Sequence, residues 1–207
     1  MTLTRVFHLA EAENWASIER DGLLSATALL MRPGITDADR TRVACHRATR
    51  TVLSDGTVVR DQGPMPPAAL QRCLHGMTPE QWYKLLNGKV FFWTDAERLN
   101  RHLRACGRNP QVVMVLDAER LLARHGAQAA VSPFNTGNAR RRPAPRGAAT
   151  FVPYVTWQQS GWVHESAALG TRSRPRSHPP AELAVDWAVP DALSFVVDVR
   201  QAAGEAR

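Results

Sequence analysis

Two runs in this chain, Val90-Phe91-Phe92-Trp93 and Val112-Val113-Met114-Val115-Leu116, are apolar at every position and rich in β-branched and aromatic residues. Side chains alternate between the two faces of a strand, so runs without a polar position predict strands buried on both faces. Helix signals surround them. Thr78-Pro79-Glu80-Gln81 combines a cap, a proline at the first helical position and a capping-box glutamine, placing Trp82, Leu85 and Leu86 on a helix that Asn87-Gly88 turns into the first run. Thr94-Asp95-Ala96-Glu97 reads as a second capping box, opening a helix with Leu99 and Leu103 inward and Gly107 past its end. Asp117 caps a third helix, which carries Leu121 and Leu122.

Val6-Phe7-His8-Leu9 alternates as a short strand, with Val6 and His8 on one face and Phe7 and Leu9 on the other. Asn14 is placed to cap a helix with Trp15 and Ile18 on one side, stopped by Asp21-Gly22. A charged surface helix is predicted over 37–49, and a hairpin over Thr51–Arg60 turns at Ser54-Asp55-Gly56. A helix over 68–75 carries Leu70, Cys73 and Leu74. Further strands are predicted at 129–132, 151–156, 182–185 and 193–199, while 133–150 is too rich in Pro, Gly, Asn and Arg for regular structure. Mixed elements early and strands late favour a single α+β domain with a mainly antiparallel, curved or split sheet. Neither a Gly-x-Gly-x-x-Gly fingerprint nor a phosphate loop ending Gly-Lys is present.

The chain has 207 residues and a formal charge of +7. Nearly all its cations are arginine, with lysine only at 84 and 89. Codon bias and a polyanion-binding surface explain that equally well. Part of the charge is concentrated in Arg140-Arg141-Arg142 with Arg146, and in Arg172, Arg174 and Arg176. Cys45, Cys73 and Cys106 are odd in number and widely spaced, which argues against a disulfide framework or structural zinc and makes a reducing cytoplasm the natural setting. His102 and Cys106, four apart on a helix, lack the further ligands of a metal site. No segment approaches the ~20 apolar residues of a membrane helix, and a cytoplasmic, unprocessed chain is expected.

One carboxylate stands out. In Pro180-Ala181-Glu182-Leu183-Ala184-Val185-Asp186, alternation puts Glu182 away from the most apolar side. Taken alone, that pattern fits a solvated edge-strand carboxylate. Arg60, past the hairpin in Arg60-Asp61-Gln62-Gly63-Pro64-Met65, suits bidentate pairing with a phosphate or, equally, a surface pairing with Asp61. Ser132-Pro133-Phe134-Asn135-Thr136-Gly137-Asn138 gathers small polar groups in a turn-rich loop.

Val6-Phe7-His8-Leu9-Ala10, followed by Asn14, Ile18 and Asp21-Gly22-Leu23, resembles the opening of ADP-ribosyltransferase-fold proteins of the DarT-like kind. There a Tyr-His-(Ile/Leu)-Thr strand leads into an Asn…Ile…(His/Asp)-Gly-Leu helix; Phe7 and Ala10 depart from that pattern. Ala181-Glu182-Leu183-Ala184-Val185…Val189-Pro190 is similar to the family's strand bearing the catalytic Glu, and Val90-Phe91-Phe92-Trp93 to its central strand. Arg-Asp-Gln-x-Pro-Met and Pro-Ala-Pro-Arg-Gly, at 60–65 and 143–147, resemble motifs of a bacterial set of relatives.

The resemblance implies an α+β ADP-ribosyltransferase-like split antiparallel sheet and NAD as substrate, with no metal. It implies Glu182 as the catalytic residue, stabilising an oxocarbenium-like transition state and activating the acceptor. His8, Arg60 and Trp93 would hold NAD. Asn135, Thr136, Arg140, Arg141, Arg142 and Arg146 would meet the acceptor, a nucleic-acid base or nucleotide in DNA or RNA, and an antidote protein is a possible partner. The alternatives are RNA 2′-phosphotransferase-like or NAD-glycohydrolase activity on the same fold, or a non-catalytic nucleic-acid-binding domain.

Overall fold

The computed structural model describes residues 2–106, 109–140 and 143–202. Its strands are β1 (Arg5–Glu11), β2 (Leu23–Leu24), β3 (Thr51–Val52), β4 (Val58–Val59), β5 (Lys89–Trp93), β6 (Gln111–Asp117), β7 (Ala129–Ser132), β8 (Val152–Pro153), β9 (Glu182–Asp186), β10 (Ala188–Val189) and β11 (Val196–Ala202). Seven of them form one antiparallel sheet in the order β11-β6-β1-β5-β9-β7-β8, and helices fill the connections, so the fold is α+β.

The sheet is split. β1 pairs with β6 along its whole length, from Arg5 opposite Asp117 to Glu11 opposite Gln111, and β5 pairs with β9 from Lys89 to Trp93. Between β1 and β5 the register holds at one position only, Phe7 opposite Trp93. Beyond that apex the two halves part, and His8 bridges the opening with Nδ1 2.8 Å from the Phe91 carbonyl oxygen. One wall of the opening is the helix Trp15–Asp21 with the β2–β10 ribbon, where Leu24 lies opposite Ala188. Gly22 makes that ribbon possible. At φ 72° and ψ −157° it occupies a region essentially reserved for glycine, and a Cβ there would fall 2.4 Å from the Pro190 carbonyl oxygen.

Both faces of the sheet are covered, which accounts for the two all-apolar runs. Val6, Phe92, Met114, Leu116, Val131 and Leu183 pack on one side with Trp157 and Trp162. On the other side Ala130, Phe91 and Ala184 meet Trp82 and Tyr83, and Leu9, Val113 and Val115 meet Leu99. Each fully buried aliphatic side chain contributes about 1.5–3 kcal/mol relative to exposure, so the two runs anchor the fold.

Several boundaries differ from the sequence reading, each for a local reason. The strand expected over 151–156 shortens to Val152–Pro153, and a helix follows over Tyr154–Ser160. Tyr154 and Trp157, one turn apart, are both buried, and Gly161 at φ 61° ends the helix. The helix Val163–Leu169 was not anticipated. The helix expected over 37–49 spans Asp37–Ala44, because Arg47 Nη1 and Asn87 Nδ2 occupy the Val43 carbonyl oxygen at 2.8 and 3.1 Å. The helix expected over 68–75 covers Pro67–Gln71, and a 3-10 turn at Ala192–Phe195 takes the start of the last predicted strand. Asp95, rather than Thr94, caps the helix Ala96–Cys106, while the Thr94 hydroxyl donates to the Pro180 carbonyl. Asn14 caps no helix; its amide joins Val58 N and O at 2.8 and 2.9 Å. The capping box at Thr78–Gln81 and the Asp117 cap form as expected.

Candidate active site

Strand order decides the character of Glu182. β9 is an interior strand between β5 and β7, so Glu182 is 5% exposed, and the solvated-edge reading of its pattern does not hold. Register then builds a row across the sheet. Phe7 is opposite Trp93, Trp93 opposite Glu182, and Glu182 opposite Ser132, with strands about 4.8 Å apart. Residues from the two ends of the chain therefore meet at the apex of the split.

Glu182 is gripped by one oxygen. Oε2 accepts from Thr136 N at 3.0 Å and from Thr136 Oγ1 at 2.8 Å, and it competes at 3.0 Å for the one proton of Ser132 Oγ with the Phe134 carbonyl oxygen at 2.9 Å. Among the described residues no donor reaches Oε1. Burial pushes the carboxyl above its usual range, against the pull of these hydrogen bonds and of the Arg146 charge. Such a carboxylate is fixed in orientation and has one oxygen left to accept from something else.

The opening beside this row is a cleft of about 180 Å³, lined among others by His8, Glu11, Asn14, Leu24, Val59 and Arg60. His8 Nδ1 faces a carbonyl, which can only accept, so the ring carries its proton there and Nε2 is an acceptor. Desolvation lowers the His8 pKa to about 4, which keeps the ring neutral at physiological pH. Arg60 crosses from the hairpin. Its Nε lies 3.0 Å from Glu11 Oε1, its Nη2 donates to Gln111 Oε1, and Gln111 Nε2 donates to Glu11 Oε2 at 2.8 Å. The Trp93 indole N–H faces His102 Nδ1 at 3.1 Å and Arg60 Nη1 faces Nε2 at 3.3 Å, and a neutral ring accepts at one nitrogen only, so the two donors compete for it. Desolvation and the Arg60 charge lower the His102 pKa to about 4.

His8 and Arg60 line the cleft, Trp93 reaches Arg60 through the His102 ring, and Glu182 lies opposite Trp93 on the next strand, outside the residues that line the cleft. Trp93 is half-buried against the helix Ala96–Cys106. The loop residues separate into two groups. Thr136 is buried, and both its donors are taken by Glu182, so it serves the carboxylate rather than an acceptor. Arg146, expected on an exposed basic track, is 2% exposed beneath Phe134, because the segment around it pairs with residues 73–75. Asn135 closes its own turn onto Gly137 N, and Arg140 is exposed with Nη2 on the Gly63 carbonyl. Arg141 and Arg142 lie outside the described residues. Ser132, Glu11, Gln111 and His102 were not named as site residues from the sequence. Ser132 had a signal in its place at a strand end opposite Glu182; the other three meet only through the β1–β6 register and a helix packed over it.

Among the described residues, no group of three His, Cys, Asp or Glu could hold a metal ion, and no helix is long and apolar enough to cross a membrane. The chain path is similar to that of DarT from Thermus sp. 2.9 in complex with NAD+, at 15% identity and a TM-score of 0.45 over 96% of this chain and 82% of that one. It is also similar to DarT from the same source in complex with ADP-ribosylated ssDNA, at 14% identity and a TM-score of 0.44 over 95% and 80%. No curated protein matches the sequence. The model of DUF7002, a family of unknown function, matches residues 4–196, and the chain belongs to that family.

Proposed function

We propose that the chain transfers ADP-ribose from NAD to a base of a nucleic acid, with Glu182 as the catalytic carboxylate. The observation that carries this reading is the grip on Glu182, with Oε2 held by both donors of Thr136 beside the Ser132 hydroxyl and Oε1 left to a ligand, one strand past the apex of a cleft that His8 and Arg60 line. NAD brings the labile bond between nicotinamide and ribose, whose cleavage builds positive charge on the sugar. An oriented carboxylate stabilises such charge without reorganising, and it can accept a ribose hydroxyl or the proton of an attacking base.

Each neighbour has a part. Neutral His8, with Nε2 as acceptor, suits a ribose hydroxyl. The Nη1 edge of Arg60 suits a diphosphate oxygen, in place of the His102 Nε2 it now faces. Water exclusion follows from the buried row itself, since Glu182, Ser132 and Thr136 are each at most 5% exposed. Arg140, in the loop after β7, and Arg172 and Arg176, in the loop before β9, are exposed cations and suit a polyanionic acceptor.

Incubation with NAD labelled in its adenylate, together with single-stranded DNA, RNA or protein, tests the reading. Label is expected on a nucleic acid and is expected to disappear in Glu182→Gln. Release of free ADP-ribose without transfer would make the enzyme a glycohydrolase, transfer at full rate in Glu182→Gln would remove Glu182 from the chemistry, and nucleic-acid binding without NAD turnover would leave a binding module.

A further inference from the structure

The motif Pro143-Ala144-Pro145-Arg146-Gly147 has no place in the chemistry above, yet its arginine is among the most completely buried side chains of the protein. Its backbone is stitched to a neighbouring segment. Arg146 N donates to Cys73 O and His75 N donates to Arg146 O, both at 2.8 Å. Gly147 follows because a Cβ there would lie 2.6 Å from the His75 carbonyl oxygen. The side chain runs inward between two rings, its guanidinium 4.9 Å from the Phe134 centroid and 5.8 Å from that of Trp82. Nε donates to Ala144 O and Nη1 to Thr136 O, each at 3.1 Å. Both acceptors are neutral carbonyls. Burying a cation with neutral partners alone is costly, and the fold retains it.

Thr136 is the other end of the grip on Glu182: its carbonyl is held by Arg146 while its N–H and hydroxyl hold Oε2. We propose that Arg146 is the positioning residue of this site, fixing the Thr136 turn and through it the orientation of Glu182. Arg146 touches neither substrate nor acceptor in this role, because its guanidinium is enclosed between Phe134 and Trp82. Its charge works in the same direction. It draws the carboxyl of Glu182 down against the upward push of burial. Burial lowers the pKa of Arg146 itself, while Cys73 and Glu182 raise it. What Glu182 does once positioned rests on the proposed function; that Arg146 positions it does not.

The test reads Glu182 directly, without NAD. The carboxyl carbon of Glu182 and the amide of Thr136 are followed by NMR through a pH titration in the wild type, Arg146→Lys and Arg146→Gln. The Gln variant is expected to raise the Glu182 midpoint and to shift the Thr136 amide. The Lys variant keeps the charge but cannot make both carbonyl bonds, so an intermediate midpoint is expected with the same amide perturbed. A folded Gln variant with an unchanged midpoint and an unchanged Thr136 amide overturns the inference. Should Arg146→Gln fail to fold, Arg146→Lys decides by the same two signals. A wild type that turns over no NAD yet shows these shifts sinks the proposed function and leaves Arg146 in place; normal turnover with no shift does the reverse.

Discussion

Thr136→Val removes one hydrogen bond from the Glu182 grip and little else. The hydroxyl lies 2.8 Å from Oε2, Thr136 is 1% exposed and Glu182 5%, so water does not replace the lost donor. Valine has nearly the shape of threonine and opens no cavity, and the residue 136 N–H stays on the same oxygen. A hydrogen bond to a charged group contributes about 1.5–3 kcal/mol, which places the cost near ~2 kcal/mol at mildly alkaline pH. For a chain of this size, 1 kcal/mol moves the melting temperature by roughly 2–4 °C, so a drop of about 4–8 °C is expected by calorimetry. Thr136→Ser, which keeps the hydroxyl, is expected to lose less. The double variant with Glu182→Gln isolates the pair, and the two effects should couple by about 1 kcal/mol or more. A melting temperature within about 1 °C of wild type, or effects that simply add, would refute the grip.

Stability should also fall with acid. His8 and His102 both titrate near pH 4 in the fold, below the unfolded value of about 6.5, so the stability they contribute is present above pH ~6.5 and is lost as the pH falls toward 4. Glu182 has the opposite sign: its raised pKa favours the fold at low pH and opposes it above, which works against the acid limb. Urea midpoints measured from pH 8 to 4 check this: the loss of stability toward pH 4 is expected to be smaller in His8→Gln/His102→Gln than in the wild type, and identical profiles would contradict it. Gly22→Ala should cost about 1–3 kcal/mol from backbone conformation alone, with a further loss from displacing Val189 and Pro190, and should weaken NAD binding by deforming the cleft wall. Wild-type stability and NAD affinity in that variant would mean the β2–β10 ribbon does not shape the cleft.

Much of the scaffold was legible because it depends on local chemistry. The all-apolar runs at 90–93 and 112–116 became β5 and β6, and the Thr78 and Asp117 caps stand where their side chains predict. Gly22 ends its helix as expected, for a reason the sequence does not contain, namely the carbonyls of Val189 and Pro190 arriving from the far end of the chain. Glu182 shows the limit most clearly. Its alternation was read correctly, but burial depends on strand order, and nothing in Ala181–Asp186 says that β5 and β7 flank it. Thr136 and Arg146 failed for the same reason, since a threonine in a polar turn and an arginine in a proline-rich loop suit an exposed surface until the partners at 73–75 and 182 are known. The helix at Tyr154–Ser160 was missed because Phe151-Val152-Pro153-Tyr154-Val155-Thr156 has strand composition, and only the burial of Trp157 against Trp162 and Tyr154 settles its period as helical.

A crystal structure with an NAD analogue that resists cleavage tests the central claim most directly. The account predicts the nicotinamide ribose at the apex between β1 and β5, a ribose hydroxyl within hydrogen-bond distance of Glu182 Oε1, and Arg60 Nη1 on a diphosphate oxygen. An analogue bound elsewhere, or bound in the cleft with Glu182 Oε1 out of reach of the ribose, would contradict it.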